Sequence, residues 1–471
     1  MAEDRIPEGR VEIDTMGEIE VPAGALYGAQ TARAVENFPI SGRGIGREMI
    51  RALGQIKLVA AQVNHELGLL APDLADAIER AAQEVIDGAL DRHFPVDVFQ
   101  TGSGTSSNMN ANEVIANRAI RLLGGEVGAR EPVHPNDHVN LGQSSNDVFP
   151  AAIHVAATEG LERALLPALE ALRAALADKG EAFDDVVKIG RTHLQDATPI
   201  RLGQEFSGYA SQLEHAAGHL RDALPRLREL AIGGTAVGTG INTHPEFGRR
   251  VADALSAVTG LQFTEAPNHF EAQAAQDAAV QASGALKALA VAVLKIANDI
   301  RWLGSGPRLG LGELKLPAVQ PGSSIMPGKV NPVIAESLIQ VCAQVIGNDT
   351  AITLGGMMGS FELNTMLPLI ARNLLEQIDL LAAGTSVFRE KLVQGLEADV
   401  ERIESQNERS LSLATVLAPR IGYDRAAEIA KEALGTGRTV REIAEARQVL
   451  PAEELQAVLD LRSQTEGGRR G

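Results

Sequence analysis

The chain has 471 residues, enough for several domains of ordinary size and a large buried core. It is 45% hydrophobic but only 3% aromatic, so its core must consist mainly of alanine and aliphatic side chains, a composition that favours helices over sheets. The formal net charge of -18 weighs against nucleic acid and anionic membranes as partners, because both surfaces are themselves negative.

The cysteine content and the first residues of the chain indicate the cellular compartment. Cys342 is the only cysteine, so the chain can form no intrachain disulfide and has no CxxC metal site. The segment from Met1 to Arg5 has no apolar stretch of the kind that a signal peptide needs. We therefore expect a cytoplasmic protein.

Strand-like and helical patterns alternate in the first part of the chain. Residues 11–14 alternate between apolar and polar side chains, which is typical of a strand. A helical pattern follows the polar segment 101–110, and the segment 144–147 supplies capping side chains for a helix that we expect to reach about Lys179. A second short strand-like run spans residues 186–189.

Three further long helices are predicted. Thr198 as a cap and Pro199 at the first helical position predict one start, and the apolar pattern continues toward Leu230. The others span about 271–302 and begin after residues 331–332. Such long segments indicate an extended bundle whose apolar faces need partners, and other subunits could supply them.

These patterns predict a mainly α protein in three parts. They are a mixed, mostly helical N-terminal domain at residues 1–140, a central long-helix bundle at 141–365 and a small helical C-terminal domain at 366–471.

The first candidate site is the polar cluster at residues 101–110, where glycines, hydroxyls and amides precede a helical pattern. These groups and the free N–H groups of the helix start could hold a carboxylate. The GxxxxGK[ST] spacing of a phosphate loop is missing. By itself the cluster leaves two interpretations open, an anion site and a merely capped helix start.

The second cluster comprises residues 134–138 and 143–147, and it also precedes a helix. Simple capping by Ser, Asn and Asp side chains is the alternative, and for Ser145 and Asn146 taken alone it is the plainer interpretation. His134 and His138 flank Asp137, but no third ligand has convincing spacing, so we expect no metal site.

His193 stands out in the third cluster, residues 190–196. A single histidine is more often structural than catalytic, but this one lies in a polar turn before a predicted helix rather than on an apolar face, which favours a functional role.

The fourth cluster, residues 321–331, is a loop of glycine, proline, serine and lysine that suits a mobile lid, with a simple surface connection as the alternative. Two other glycine-rich strings, 233–240 and 304–307, follow helical patterns rather than strands. They therefore do not match a dinucleotide-binding fingerprint.

Taken together, the four clusters resemble the fumarase/aspartase superfamily. The most specific match is the segment from Gly322 to Pro332, which reads GSSIMPGKVNP and is similar to the signature loop of that family. The resemblance extends from Gly24 to Asp424. It implies a mainly α, three-domain fold whose long helices form a twenty-helix core in a homotetramer, with each active site shared by three subunits.

Residue 193 distinguishes the two main activities of this superfamily. Residues 190–197, GRTHLQDA, resemble fumarases, whereas aspartases usually have glutamine at the position of His193. Residues 332–336, PVIAE, are more similar to aspartases. We give His193 more weight and expect a hydro-lyase of the tricarboxylic acid cycle. It would interconvert fumarate and L-malate by anti addition and elimination through a carbanion-like intermediate. Aspartate ammonia-lyase is the alternative.

The resemblance also implies the roles of individual residues. Ser323 matches the catalytic base, and Lys329 would help to stabilise its alkoxide. His193, oriented by Glu336, matches the group that activates water or protonates the leaving hydroxyl. The residues that match those gripping the substrate carboxylates are Ser103, Gly104, Thr105, Ser144, Ser145, Asn146, Thr192, Ser324, Lys329 and Asn331.

A second dicarboxylate site is known in this family, and the matching residues are His134, Pro135, Asn136 and Asp137. Glu131 stands where fumarases often carry a basic residue, which weighs against anion binding there. No cofactor or metal is expected, since Cys342 alone cannot hold an iron–sulfur cluster. The remaining alternative, a catalytically silent structural protein, is disfavoured because Ser323, Lys329, His193 and Glu336 are all present.

Overall fold

The structure is a computed structural model and describes residues 9–467, so the segment from Met1 to Arg5 lies outside the described residues. The described chain is mainly helical, as predicted. In chain order the α-helices are α1 Ala29–Asn37, α2 Arg47–Glu66, α3 Pro72–Ile86, α4 Thr105–Leu122, α5 Ser145–Gly160, α6 Leu166–Ala182, α7 Leu202–Leu227, α8 Phe247–Thr259, α9 His269–Ala274, α10 Asp277–Leu303, α11 Val333–Gly356, α12 Leu367–Lys391, α13 Val400–Asn407, α14 Ala418–Ile421, α15 Tyr423–Thr436, α16 Val440–Ala446 and α17 Ala452–Val458.

The strands are short and pair only in two-stranded sheets within residues 9–467. In chain order they are β1 Gly9–Asp14, β2 Gly17–Pro22, β3 Val187–Thr192, β4 Gln195–Arg201, β5 Glu229–Leu230, β6 Thr264–Glu265, β7 Leu314–Lys315, β8 Gly359–Ser360, β9 Leu363–Asn364 and β10 Glu397–Ala398. β1 contains residues 11–14, and β3 begins at Val187 within the run 186–189, so both strand predictions are confirmed.

The described chain divides into two compact units. Unit 1 comprises residues up to Leu166, Gly218–Ala288 and Ala343–Leu381, and unit 2 comprises Pro167–Ala217, Leu289–Cys342 and the residues from Ala382 onward. The three-domain division at residues 140 and 365 stays a prediction.

The core of unit 1 is built around α2, which contacts α3, α5 and α8. Its aliphatic side chains Leu53 and Ile56 are fully buried. Complete burial of such a side chain contributes about 1.5–3 kcal/mol. Gly54 lets α3 approach closely, because a Cβ at this position would lie 3.1 Å from the side chain of Val85.

Unit 2 contains the β3–β4 hairpin and a separate C-terminal core. The hairpin pairs Val187 with Arg201 and Ile189 with Pro199. The C-terminal core joins short helices through fully buried aliphatic side chains, among them Leu413, Leu417, Ile443 and Leu459.

The predicted start of α7 at Thr198 and Pro199 is wrong. Both residues belong to β4, where Pro199 lies opposite Ile189, and the helix begins at Leu202. Proline suits a first helical position, but it is also tolerated in a hairpin strand where no partner needs its missing N–H. Pairing with β3 therefore overrides the local signal.

The other helix predictions are confirmed in part. α11 begins at Val333 as predicted. α5 begins after Ser144, and the π-helical turn Leu161–Leu165 joins it to α6, which ends at Ala182, near the predicted end. The helix predicted for 271–302 is instead two helices, because α9 ends at Ala274 and Ala275 is extended before α10.

α10 is a long and largely apolar helix. Its length and composition would allow it to cross a membrane, yet half of its most apolar 18-residue segment is buried inside the protein. Core helices of proteins without a membrane span often have the same length and apolar composition, so these two properties are weak evidence for a span. Val291 and Trp302 on α10 are 54% and 47% exposed in the single chain.

Candidate active site

The start of α4 lies in the first polar cluster, and glycine is required there. Gly104 precedes the helix with a φ of 74°, in the left-handed region that favours glycine. A Cβ at this position would also lie 2.3 Å from the ring of Phe149. Gln100 Oε1 accepts from Ser107 N at 3.0 Å in the first turn of α4, so capping does not account for the hydroxyls of Ser103 and Thr105.

Three hydroxyl groups meet where α4 and α5 begin. Ser103 Oγ and Thr105 Oγ1 share a hydrogen bond of 2.7 Å, and Thr105 Oγ1 donates to Ser145 Oγ at 2.9 Å. Thr105 is the first residue of α4 and Ser145 is the first residue of α5. The free N–H groups and positive dipole ends of two helices therefore accompany the hydroxyls, which is an arrangement that suits a carboxylate.

Ser144 and Asn146 are held by backbone contacts. Ser144 forms a capping box, in which its Oγ accepts from Asn146 N at 3.2 Å and its N–H donates to Asp147 Oδ1 at 2.9 Å. The side chain that caps α5 is thus that of Ser144, whereas Ser145, for which capping was the plainer interpretation, accepts a hydrogen bond from Thr105 instead. Asn146 Nδ2 donates to the carbonyl of Ala236 at 2.8 Å, which orients its amide.

Asp147 is a positioning residue that the sequence analysis did not single out. Its fully buried carboxylate accepts from the N–H groups of Gly233 and Thr235 at 3.1 and 2.8 Å as well as from Ser144. Burial raises its pKa to about 6, although these N–H groups counteract that rise. The spacing of Ser144 and Asp147 is a capping-box signal, but only the fold reveals the contact with the glycine-rich string at 233–240.

The predicted second dicarboxylate site forms a π-helical turn, Pro135–Val139. His134 Nδ1 accepts from the N–H groups of Asn136 and Asp137, both at 3.2 Å, and this leaves Nε2 as the donor of the neutral ring. His138 Nδ1 accepts from His134 N at 2.8 Å, and burial lowers the pKa of His138. His138 thus has a structural role.

His193 was predicted to lie in a turn before a helix. It lies instead at the tip of the β3–β4 hairpin. Thr192 ends β3, and the two residues of the tip, His193 and Leu194, have φ values of 56° and 59°. Two consecutive left-handed residues are characteristic of a type I′ hairpin turn, which most often contains asparagine, aspartate or glycine. The imidazole is therefore presented from a backbone conformation that is uncommon outside glycine.

Lys188 and Arg191 of the same hairpin form an ionic cluster with Glu205 of α7 and with Glu313. Lys188 Nζ, on β3, is 3.0 Å from Glu205 Oε2 and 2.8 Å from Glu313 Oε2. Arg191 Nη2 is 2.5 Å from Glu313 Oε1. These ion pairs fix β3 just before Thr192 and His193, and sequence patterns alone did not reveal them.

The signature loop is closed by its own backbone. Gly322 N donates to the Lys329 carbonyl at 2.9 Å, and Asn331 Nδ2 donates to the Gly322 carbonyl at 2.6 Å. Inside this loop Ser323 Oγ accepts from the N–H groups of Ile325 and Met326 at 3.3 and 2.9 Å. Both donors would stabilise negative charge on that oxygen.

The remaining predicted residues lie on the same loop and on the helix after it. Ser324 and Lys329 are exposed, and Glu336 lies in the first turn of α11. No hydrogen bond or ion pair joins His193 to Glu336 within residues 9–467 of a single chain. The structure thus brings Ser103, Thr105 and Ser145 together but does not pair His193 with Glu336.

Comparisons with known proteins identify the chain as a lyase. The family described as "Lyase" matches residues 17–347, and the one described as "Fumarase C C-terminus" matches residues 413–465. The chain belongs to the lyase family.

Named relatives cover nearly the whole chain. The fumarate hydratase class II of Nitrosomonas europaea is 56% identical, over 97% of this chain and 99% of the relative. That of Halobacterium salinarum is 58% identical, over 98% and 97%. Among solved structures, the class II fumarase from Schistosoma mansoni is 42% identical, has a TM-score of 0.95 and is matched over 97% of this chain and 99% of its own.

Proposed function

We propose that this protein is a fumarate hydratase that interconverts fumarate and L-malate. The observation that carries this proposal is the hydroxyl chain from Ser103 through Thr105 to Ser145, placed at the starts of two helices. Such a site suits a carboxylate, and both substrates are dicarboxylates. Relatives named fumarate hydratase class II that are 56% and 58% identical support the same activity. The aspartate ammonia-lyase alternative is not favoured.

The binding role rests on donors that the fold has already oriented. Ser103, Thr105 and Ser145 would bind one carboxylate. The hydrogen bond to the Ala236 carbonyl orients the side-chain amide of Asn146. In the proposal Ser144, Gly104, Thr192, Ser324, Lys329 and Asn331 complete the substrate contacts. Oriented donors cost no reorganisation when charge builds up on the carboxylate during the reaction.

Ser323 is the proposed base. The C3 proton of L-malate is very weakly acidic because the neighbouring carboxylate is already negative, so a strong base is needed. The N–H groups of Ile325 and Met326 donate to Ser323 Oγ and favour its alkoxide, and the ammonium of Lys329 would add to this effect. The alkoxide removes the C3 proton and leaves a carbanion-like intermediate with its charge spread over the carboxylate.

His193 is proposed to act on the C2 hydroxyl. A protonated imidazole would give its proton to the departing hydroxyl, which leaves as water while the double bond of fumarate forms. In the hydration direction the neutral imidazole would take a proton from water. Glu336 would orient the ring from a neighbouring chain, consistent with the lack of contact between the two residues within the described part of one chain.

We propose a homotetramer in which three subunits contribute to each active site. Large apolar side chains are exposed in the single chain, among them Val291 and Trp302 on α10 and Phe361, which is 94% exposed. Apolar surface of this kind is favourably covered by further subunits. A twenty-helix core, implied by the family resemblance, would cover them.

Three further features belong to the proposal. Residues 134–137 would form a second dicarboxylate site, with Glu131 weakening its affinity. The enzyme would work without a metal, because a lone Cys342 cannot hold an iron–sulfur cluster. The protein would be cytoplasmic and would serve the tricarboxylic acid cycle.

The decisive experiment follows the ultraviolet absorbance of fumarate after purified protein is added to L-malate or to L-aspartate. We expect absorbance to rise with L-malate alone. A rise with L-aspartate alone would identify an ammonia-lyase, and no rise in either cuvette would overturn the proposed function. Light scattering on the same sample should give the mass of four chains.

A further inference from the structure

A lysine is buried beside the turn that leads to the substrate-binding serines. Lys57 lies on α2, and its exposed fraction is 0%. Its Nζ donates to Asn140 Oδ1 at 2.9 Å and to Gln143 Oε1 at 2.8 Å. Both acceptors belong to the turn that ends at Ser144, so the ammonium cross-links this turn from the interior of unit 1.

The same turn is connected to α4 through Asn140. Asn140 Oδ1 also accepts from Asn108 Nδ2 and Asn112 Nδ2, both at 3.2 Å. Its own Nδ2 donates to the Gln143 carbonyl at 3.1 Å. Asn140 Oδ1 is therefore shared by donors from α2 and from α4, next to the turn that starts α5.

This network joins the two helices that present the hydroxyl groups. Asn108 and Asn112 lie within two turns of Thr105, the first residue of α4, while Gln143 lies two residues before Ser145, the first residue of α5. The contact between Thr105 and Ser145 depends on how these two helix starts are placed. A bond that fixes the turn against α4 therefore fixes the hydroxyl cluster.

A buried ammonium is a costly way to hold a core together. Burial lowers the pKa of Lys57 to about 7, and only the carboxylate of Asp147 counteracts this shift. Apolar side chains of similar volume often stabilise a core as well as or better than buried charges do. What an apolar side chain cannot supply is a directed pair of hydrogen bonds to Asn140 and Gln143.

We propose that Lys57 is a positioning residue for substrate binding. It fixes the turn that carries Ser144 and Ser145 in its position next to Thr105. The inference rests on the proposed function, since it assigns substrate contacts to these hydroxyls. Lys57 itself touches neither substrate nor a reacting atom.

The first test is Lys57→Met, which keeps an unbranched side chain and removes both hydrogen bonds. We expect the KM for L-malate to rise about tenfold, which corresponds to the loss of one hydrogen bond between the protein and the substrate. We expect kcat to change less than about twofold. The matched control is Gln55→Met on the same helix. Gln55 is also buried and donates to Glu159 Oε1 at 3.1 Å, away from the turn, so its loss should leave both constants unchanged.

The second test is Gln143→Met, which keeps the lysine and removes its acceptor Oε1, together with the hydrogen bonds from Gln143 Nε2 to the carbonyls of Val139 and Leu141. We expect a raised KM in this variant, and in the double variant with Lys57→Met a rise smaller than the product of the two single effects, because both substitutions remove the Lys57–Gln143 bond. This variant also decides the matter if Lys57→Met does not fold. In that case a raised KM supports the inference, and an unchanged KM overturns it.

The outcomes separate this inference from the proposed function. Activity of the wild-type protein on L-malate tests the function alone. An active wild type in which Lys57→Met behaves like Gln55→Met, or in which the two KM effects multiply independently, would overturn the role of Lys57 and leave the activity assignment standing.

Discussion

Thr105 Oγ1 donates a hydrogen bond of 2.9 Å to Ser145 Oγ, and this bond joins the first residue of α4 to the first residue of α5. The two residues are 40 positions apart in the chain. Because both stand at helix starts, their hydroxyls share a region of positive potential with free backbone N–H groups. This relationship brings two helix starts together in the arrangement that the proposed carboxylate site requires.

Replacing Thr105 by valine tests that site. Thr105→Val keeps the branched shape but removes the hydroxyl, and we expect the KM for L-malate to rise about tenfold. Steady-state kinetics of both directions would measure it. Thr101→Val is the control, because Thr101 Oγ1 pairs with Ser106 Oγ in an exposed contact. Equal KM values for the two variants would contradict the assignment.

Ser323→Ala tests the proposed base. We expect activity to fall on the order of 10³-fold, because no other group would take the C3 proton, while light scattering still reports the wild-type mass. Ser405→Ala, at an exposed serine that donates to the Arg402 carbonyl, should retain full activity. A fully active Ser323→Ala variant would show that the base lies elsewhere.

Leu194→Asn tests the strain at the hairpin tip. Leu194 has a φ of 59° and is exposed, and asparagine adopts this conformation at lower cost. We expect the free energy of unfolding to rise by about 0.5–1 kcal/mol in urea titrations. Leu69→Asn, at an exposed leucine that is not among the residues with positive φ, should give no such gain. Destabilisation at position 194 would mean that the leucine side chain itself contributes to stability.

The pH dependence of stability should reveal Lys57. Its pKa is lowered in the folded state from 10.5 to about 7, so between these values the unfolded chain binds a proton that the folded chain does not. Stability must then rise with pH across this window. We expect the unfolding temperature of the wild type to increase relative to that of Lys57→Met between pH 7 and about pH 10. A constant difference between the two proteins would refute the lowered pKa.

Local signals predicted several features correctly for identifiable reasons. Pro332 stands directly before α11, which begins at Val333, since proline suits a helix start. The alternation in residues 11–14 was enough to identify β1. Thr198 and Pro199 carried a similar helix signal, but the pairing of β4 with β3 placed them in a strand. Hydrogen bonds to a distant partner strand are not encoded in a short window of residues.

The sequence by itself determined the mainly α class, the family and the residues of each polar cluster, because helix propensity, proline and glycine positions and the signature loop are local properties of the chain. Only the tertiary structure decided which clusters meet. Thr105 reaches Ser145, Asp147 reaches Gly233, and the buried Lys57 reaches Asn140 because helices and turns that are distant in sequence pack side by side. Contacts of this kind depend on the closure of long loops and on burial, and neither can be read from residue spacing.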